Sequence, residues 1–379
     1  MSIIIGADLV PTKRNQELFN NGEVNQLIGE ELVKVLLETD YRIFNLEVPL
    51  TDIETPISKC GPNLIAPTST IKGYKAIGVD ILTLANNHIL DQGVQGLEST
   101  CKLLEENSIA YLGVGKTPNE AAKPYILKCN GKNIGIYACV EHEFSIVSDT
   151  SCGANPYDPL ESFDHVAELK ELCDYVIVLY HGGKEHYRYP SPNLQKTCHK
   201  FVEKGADLII CQHTHCIGCE EKYKDGTIVY GQGNFLFDSS ESEFWQTSLL
   251  VQISDGFKIS YIPLVKCDNT VRLADEKKAK EILDGFNKRS EEIKIPGLIQ
   301  KKYSEFAKSM LRNYLQNISG SKNIFFRVIN KLTRYKLSAW ITKRKYNKIT
   351  LLALQNYFDC EAHRELILEG IKEEIDNRE

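Results

Sequence analysis

Six side chains in this sequence have the chemistry to hold divalent cations, and each sits at or near the end of a short apolar run. They are Asp8, Glu47, Asn87, His181, His213 and His215. Hard cations take oxygen ligands and borderline ones accept imidazole as well, so carboxylates, an amide and imidazoles without a thiolate make one mixed donor set. Two cations need a bridging carboxylate to offset their repulsion, a task open to Asp8 or Glu47. A pair of ions about 3.5–4 Å apart can activate a water and clamp phosphoryl oxygens. His213 and His215 are two residues apart: on a strand they share one face, and in a loop they can reach two different ions. His88 directly follows Asn87 and suits a proton donor to a leaving group or a stabiliser of developing charge. Asp91 can orient His88 or cap the helix that begins near Val94.

Taken singly, each residue has a bland explanation. Asp8 reads as a strand-end loop residue, Glu47 as a solvated carboxylate, His181 as a hydrogen-bonded core histidine and Asn86-Asn87 as a turn signal. Their joint placement is harder to dismiss. Ile3–Asp8, Asn45-Leu46-Glu47, Asn86-Asn87-His88, His181-Gly182-Gly183-Lys184-Glu185 and His213-Thr214-His215 all occupy strand ends.

The elements that must position them alternate. Strands are expected at Ile3–Gly6, Tyr41–Asn45, Ile81–Ala85, Ile126–Cys129, Ile134–Cys139, Tyr175–Tyr180, Leu208–Cys211, Thr227–Tyr230, Ser248–Ile253 and Lys258–Pro263. Helical spacing of apolar residues marks Glu30–Thr39, Val94–Glu106 and Pro159–Cys173 between them. Such alternation indicates an α/β core. Gly131-Lys132-Asn133 and Asp255-Gly256 are hairpin signals, and the last strands lack intervening helices, so an antiparallel portion is expected after Leu208.

The chain of 379 residues carries a formal charge of −6, which gives no reason to expect nucleic-acid binding. Twelve scattered cysteines and no leader-like N-terminus point to a reducing, cytoplasmic setting. No stretch approaches the roughly 20 apolar residues of a membrane span. The character changes after about Lys266. Residues 306–358 contain eleven Lys or Arg and no Asp or Glu, leaving about −17 for the remainder. Two domains are therefore expected: 1–266, and a helical extension over 267–379. The basic segment 306–358 is either a helical cap with solvated lysines or a docking surface. Apolar Phe325, Val328, Ile329 and Leu332, with Trp340 near Lys343, Arg344 and Lys345, suit peripheral contact of residues 322–348 with an anionic membrane or polymer.

The motifs resemble the CapA family of poly-gamma-glutamate capsule synthesis proteins, in the calcineurin-like metallophosphoesterase superfamily. The resemblance runs over Ile3–Asp238. It is carried by Gly6-Ala7-Asp8, Asn45-Leu46-Glu47-Val48-Pro49, Ala85-Asn86-Asn87-His88 with Asp91 and Gly93, His181–Glu185, Gly205-Ala206-Asp207, His213-Thr214-His215 and Gly231-Gln232-Gly233-Asn234-Phe235 with Phe237-Asp238. It implies a two-sheet α/β/β/α sandwich over residues 1–266 with a dimetal site at the strand ends. Asp8, Glu47, Asn87, His181, His213 and His215 become metal ligands for two divalent ions (Mn, Fe or Zn). His88 becomes the acid or charge stabiliser, with Asp91 beside it. Glu185 and Asn234 become substrate-pocket residues. The implied activity is hydrolysis of a phosphoester by metal-activated water, in capsule or exopolymer biosynthesis, with an anionic polymer or phosphoester as substrate. The sequence departs from the family at Cys211-Gln212, where Gly-His usually precedes the His-x-His motif. It also departs at Thr214, where Pro is common, and in lacking the N-terminal anchor of many relatives.

Three other readings compete. Cys211, His213, His215, Cys216 and Cys219 form a dense cluster, and Cys216-Ile217-Gly218-Cys219 has the spacing of a zinc half-site, though no second Cys-x-x-Cys exists. An ATP-using ligase would need a Gly-x-x-x-x-Gly-Lys-Ser/Thr loop, which is absent. A non-catalytic metal- or polymer-binding partner in polymer assembly or export would need the same ligands as an enzyme.

Overall fold

The computed structural model describes residues 1–237, 241–318, 333 and 336–376. Its described residues divide into two compact units, Met1–Gln300 and Lys301–Glu379. The first is built on two sheets. One runs in the order Thr270–Leu273, Lys258–Cys267, Thr247–Ser254, Ile3–Asp8, Tyr41–Asn45, Ile81–Thr83, Ala110–Leu112. The other runs Glu220–Tyr223, Gly226–Val229, Leu208–Gln212, Tyr175–His181, Lys132–Val140, Tyr125–Cys129. The neighbouring strands that start at Ile3, Tyr41, Ile81 and Ala110 are parallel, and so are those that start at Gly226, Leu208, Tyr175 and Lys132. The antiparallel portion expected late in the chain is the three-strand meander from Thr247 to Leu273.

Side-chain alternation explains why the second sheet is covered on both faces. Ile134, Ile136, Ala138, Ile177, Leu179, Leu208 and Ile210 join one core with residues of the first sheet such as Ile5, Ile43 and Leu82. Their neighbours Tyr137, Cys139, Val176, Val178, Ile209 and Cys211 face the opposite way, into a second core. Successive strand residues point to opposite faces, so each strand feeds two layers. That second core is closed by Val166 and Leu169 of the helix Ser162–Leu172 and by Leu194, Cys198 and Phe201 of the helix Pro192–Glu203. The latter helix is not among the expected elements. It starts with Ser191 capping the Leu194 amide and Pro192 in the first turn, a strong start signal. The result is a two-sheet α/β sandwich flanked by helices.

Both expected hairpins form, the first with its turn one residue before the expected Gly131-Lys132-Asn133, since Lys132 and Asn133 already pair in the strand. Tyr125–Cys129 and Lys132–Val140 are joined by Asn130-Gly131, with φ of 49° and 75°, the left-handed pair that a tight hairpin turn demands. Short strands at Ala110–Leu112, Glu220–Tyr223 and Thr270–Leu273 were too brief to show as apolar runs.

The first unit extends beyond residue 266. The helix Glu276–Glu292 buries Ile282 and Phe286 against Ile217 and Leu249, so the break in packing comes after Gln300. The second unit is helical. It includes Lys336–Lys345, Lys348–Asp359 and Glu361–Asp376. The expected amphipathic stretch with Phe325, Val328, Ile329 and Leu332 lies outside the described residues, as does Asp238. Among the described residues no helix is long and apolar enough to cross a membrane.

Candidate metal centre

Every parallel strand of the two sheets delivers its C-terminal end to one rim. Asp8 and Asn45 end neighbouring strands and are paired in register, and Asn45 is paired in turn with Thr83. Across the sandwich, Val140, His181 and Gln212 are aligned in adjacent strands. Polar groups emerging from strand ends at one edge of an α/β sheet are where such folds bind ligands. Gly6 makes the first strand fit: a Cβ there would lie 2.2 Å from the Phe44 ring. A register irregularity between Ile5 and Asp8 re-aims the strand end.

All six expected ligands meet in this rim, and all are buried. His181 Nε2 lies 3.2 Å from Glu47 Oε1, 3.1 Å from Asn87 Oδ1 and 3.1 Å from His213 Nδ1. His215 Nδ1 lies 3.3 Å from Asp8 Oδ2 and 2.8 Å from Asn234 Oδ1. One donor atom each from Glu47, His213 and His215 falls within 4.8 Å of the others. His213 and His215 have φ of 80° and 51°. That is the left-handed region, costly for residues with a Cβ and concentrated at functional sites. The His-x-His segment is therefore a loop with its two rings turned separately, not a strand with both on one face.

The electrostatics are those of a cation site. Both oxygens of Glu47 are buried without a hydrogen bond, and Asp8 Oδ2 meets only the His215 ring, although buried carboxylates ordinarily find several partners. Burial, then the charge of Asp8, pushes the Glu47 carboxyl up to about 8. Burial lowers His181 to about 4. Burial, with His181 and His215 beside it, also lowers His213. Both rings are thus held neutral, the state in which imidazole ligates. Burial opposes a charge on His215, but its bond to Asp8 and the Glu47 carboxylate outweigh this and raise it to about 9. Asp8 is held below its usual range by the same pairing, against burial. Two buried carboxylates beside the neutral rings of His181 and His213 fit a divalent ion.

His88 and Asp91 are adjacent to this group. His88 Nδ1 is 2.5 Å from Asp91 Oδ2. Asp91 is fully buried and also accepts from the Leu64 amide at 2.6 Å and from Lys59. Glu185 is partly exposed, with Lys184 at 3.5 Å, and lies near His213 and His215. Asn234 is buried against His215.

Several participants escaped the sequence reading. Asn45 Nδ2 donates to Asp8 Oδ1 at 2.7 Å and lies 3.3 Å from His181 Nδ1, while its Oδ1 accepts from Asn86 at 3.1 Å and Thr83 at 3.2 Å. One buried amide thus orients two ligands, a supporting role that commonly tunes metal affinity. Glu143 accepts from Asn87 Nδ2 at 2.8 Å, which turns Asn87 Oδ1 toward His181. Gln212 donates to the Gly6 carbonyl at 3.2 Å and Gln232 to the Ile5 carbonyl at 2.8 Å, tying the loops of one sheet to the first strand of the other. Asn45 stood in a quoted triplet, but its role needs the fold. Glu143 had no signal.

The thiols stand apart. Among the described residues the metal-competent group contains no cysteine. Cys211 packs in the outer core 3.7 Å from Cys198. Burial raises the Cys216 thiol to about 11 and the Cys219 thiol as well. Changing Cys216 and Cys219 together to Ser is expected to leave bound metal unchanged by elemental analysis. Loss of metal with unfolding would reinstate a zinc knuckle.

Residues 3–239 match the family described as bacterial capsule synthesis protein PGA_cap. Over 212 residues the chain is 29% identical to the capsule biosynthesis protein CapA of Bacillus anthracis, covering 54% of this chain and 52% of that one. It is 26% identical over 262 residues to the PGA biosynthesis protein CapA of Bacillus subtilis (strain 168), covering 66% and 69%. The chain thus spans about half the length of the first relative. Among solved structures, a phosphatase from Mycoplasma pneumoniae aligns with a TM-score of 0.44 at 15% identity, covering 71% of this chain and 94% of that one. A putative 5'-nucleotidase from Staphylococcus aureus aligns at 0.42 and 13%, covering 76% and 58%. With its family match extending over more than half of its length, the chain belongs to the bacterial capsule synthesis protein PGA_cap family.

Proposed function

We propose that this protein is a metal-dependent hydrolase of phosphoesters acting in capsule or exopolymer metabolism. The observation that carries the reading is the Glu47 carboxylate, sealed among imidazoles with neither oxygen hydrogen-bonded. Two divalent ions, manganese, iron or zinc, would be held by Asp8, Glu47, Asn87, His181, His213 and His215. When bound, such ions activate water and offset charge on phosphoryl oxygens.

The remaining work belongs to side chains. Asp91 fixes the ring of His88 through Nδ1, which leaves Nε2 to protonate the departing oxygen of the substrate. The Leu64 amide and Lys59 hold Asp91 in turn, so the dyad is set before substrate arrives. Asn45 and Glu143 keep Asp8, His181 and Asn87 in their orientations. Glu185 stands at the rim, where it would meet the substrate. Elemental analysis of the purified protein, then a screen of phosphomonoesters, phosphodiesters and γ-glutamyl amides, tests the reading. Bound metal with no turnover of any of these would favour a binding partner in polymer assembly over an enzyme.

We further place the protein in the cytoplasm, touching the membrane peripherally through 322–348. Twelve free thiols suit a reducing compartment. Within the described part of that segment, Trp340 is 57% exposed on the helix Lys336–Lys345, whose last turn carries Lys343, Arg344 and Lys345. Co-sedimentation with anionic vesicles is expected and should weaken with added salt. Absence of binding at low salt would remove the membrane contact.

A further inference from the structure

A second polar site lies outside the metal centre. Arg188, Ile217, Glu243, Gln246, Thr247, Lys278, Glu281 and Arg289 are among the residues around a cavity of about 400 Å³. Arg188 and Arg289 are anchored on consecutive backbone carbonyls. Arg188 Nη1 donates to Ile217 O at 2.9 Å, and Arg289 Nε donates to Gly218 O at 2.7 Å. Each guanidinium therefore keeps further N–H groups for another acceptor. The two cations are close enough that Arg188, after burial, lowers the Arg289 pKa.

The carboxylates at this cavity do not compensate both. Glu243 lies 3.5 Å from Arg188 with its side chain 76% exposed, a rim pair of little energetic weight. Glu281 is engaged by Lys278 at 3.0 Å. Among the described residues Arg289 has no ion pair. Two guanidiniums held side by side by carbonyl groups, one lacking a carboxylate and both facing a cavity, are complementary to a small oxyanion.

We propose that Arg188 and Arg289 form a binding site for an oxyanion, the carboxylate or phosphate group of an acidic ligand. The site is separate from the metal ligands but connected to them. Phe244 lies 4.8 Å from the Arg188 guanidinium and stacks on His186 at 5.4 Å, while Trp245 bonds His186 and lies 5.1 Å from the His215 ring. Arg188 belongs to the family-matched segment; Arg289 comes from a helix beyond it.

The test is calorimetric titration of the full chain with inorganic phosphate and with glutarate, each with and without prior chelation by EDTA. Binding of at least one anion is expected to survive chelation and to weaken roughly tenfold or more in both Arg188→Gln and Arg289→Gln. Glutarate alone binding identifies a carboxylate ligand; phosphate alone identifies a phosphate ligand. Glu281→Gln, at an exposed position, is expected to tighten binding a few-fold by freeing Lys278 and removing a rim charge, and serves as the check if an arginine variant fails to fold. The proposal is overturned if neither anion binds, or if binding vanishes on chelation. It is equally overturned if binding is indifferent to both the arginine and the Glu281 substitutions. Loss on chelation would leave the metal-centre reading intact, so the two can fail separately.

Discussion

Asp8→Ala is expected to purify without its full metal content and to lose turnover by roughly a thousandfold or more, since a bound ion supplies several kcal/mol of charge stabilisation. The cause is local. Asp8 Oδ2 is a buried oxygen that faces only the His215 ring, at 3.3 Å, and its Oδ1 is already taken by Asn45. No other described residue stands at that strand end to replace it. His213→Ala should behave alike, because His213 Nδ1 is one of the groups converging on His181. Elemental analysis and activity measured on the same preparation check this. Retained metal in both variants would remove the ligand assignment. The metal-free protein should also release protons on metal uptake near pH 7, because burial and Asp8 raise Glu47 and the bond to Asp8 raises His215. Metal and proton compete for the same atoms, so affinity is expected to rise as pH increases. A pH-independent affinity between 6 and 9 would contradict that competition.

The second large effect is expected at His88. His88→Ala should keep its metal and lose about 10²–10⁴ in kcat, the usual worth of a positioned proton donor. Among the described residues the His88 ring bonds none of the six candidate ligands. Its ring is tied to Asp91 and lies near Lys59. A substrate with a leaving group acidic enough to depart unprotonated should rescue most of the loss. Asp91→Asn should show a smaller deficit with the same leaving-group dependence, since it disturbs the ring rather than removing it. If His88→Ala instead loses metal, His88 is a ligand and the proton-donor role falls.

How much of this was legible beforehand differs between residues. Asp8, Glu47, Asn87, His181, His213 and His215 could be picked out because strands show as apolar runs, and a polar group just past a run lands on the rim of the sheet. Residue type then restricts the cation. Hairpins near Gly131-Lys132-Asn133 and at Asp255-Gly256 were readable because the backbone conformation they need is a property of two or three adjacent residues, although the first turn falls one residue earlier, on Asn130-Gly131.

What the sequence hid consists of pairings between distant residues. Asn45 orients Asp8 and His181, and Glu143 turns Asn87, through contacts that no local pattern encodes. The helix Glu276–Glu292 shows its apolar stripe, yet only the folded chain docks Ile282 and Phe286 beside Ile217 and carries the compact unit to Gln300. The same docking brings Arg289 to Arg188. Periodicity is written along the chain and reports which face is buried, whereas the partner of that face depends on how separate segments close upon one another, and only the tertiary structure decides it.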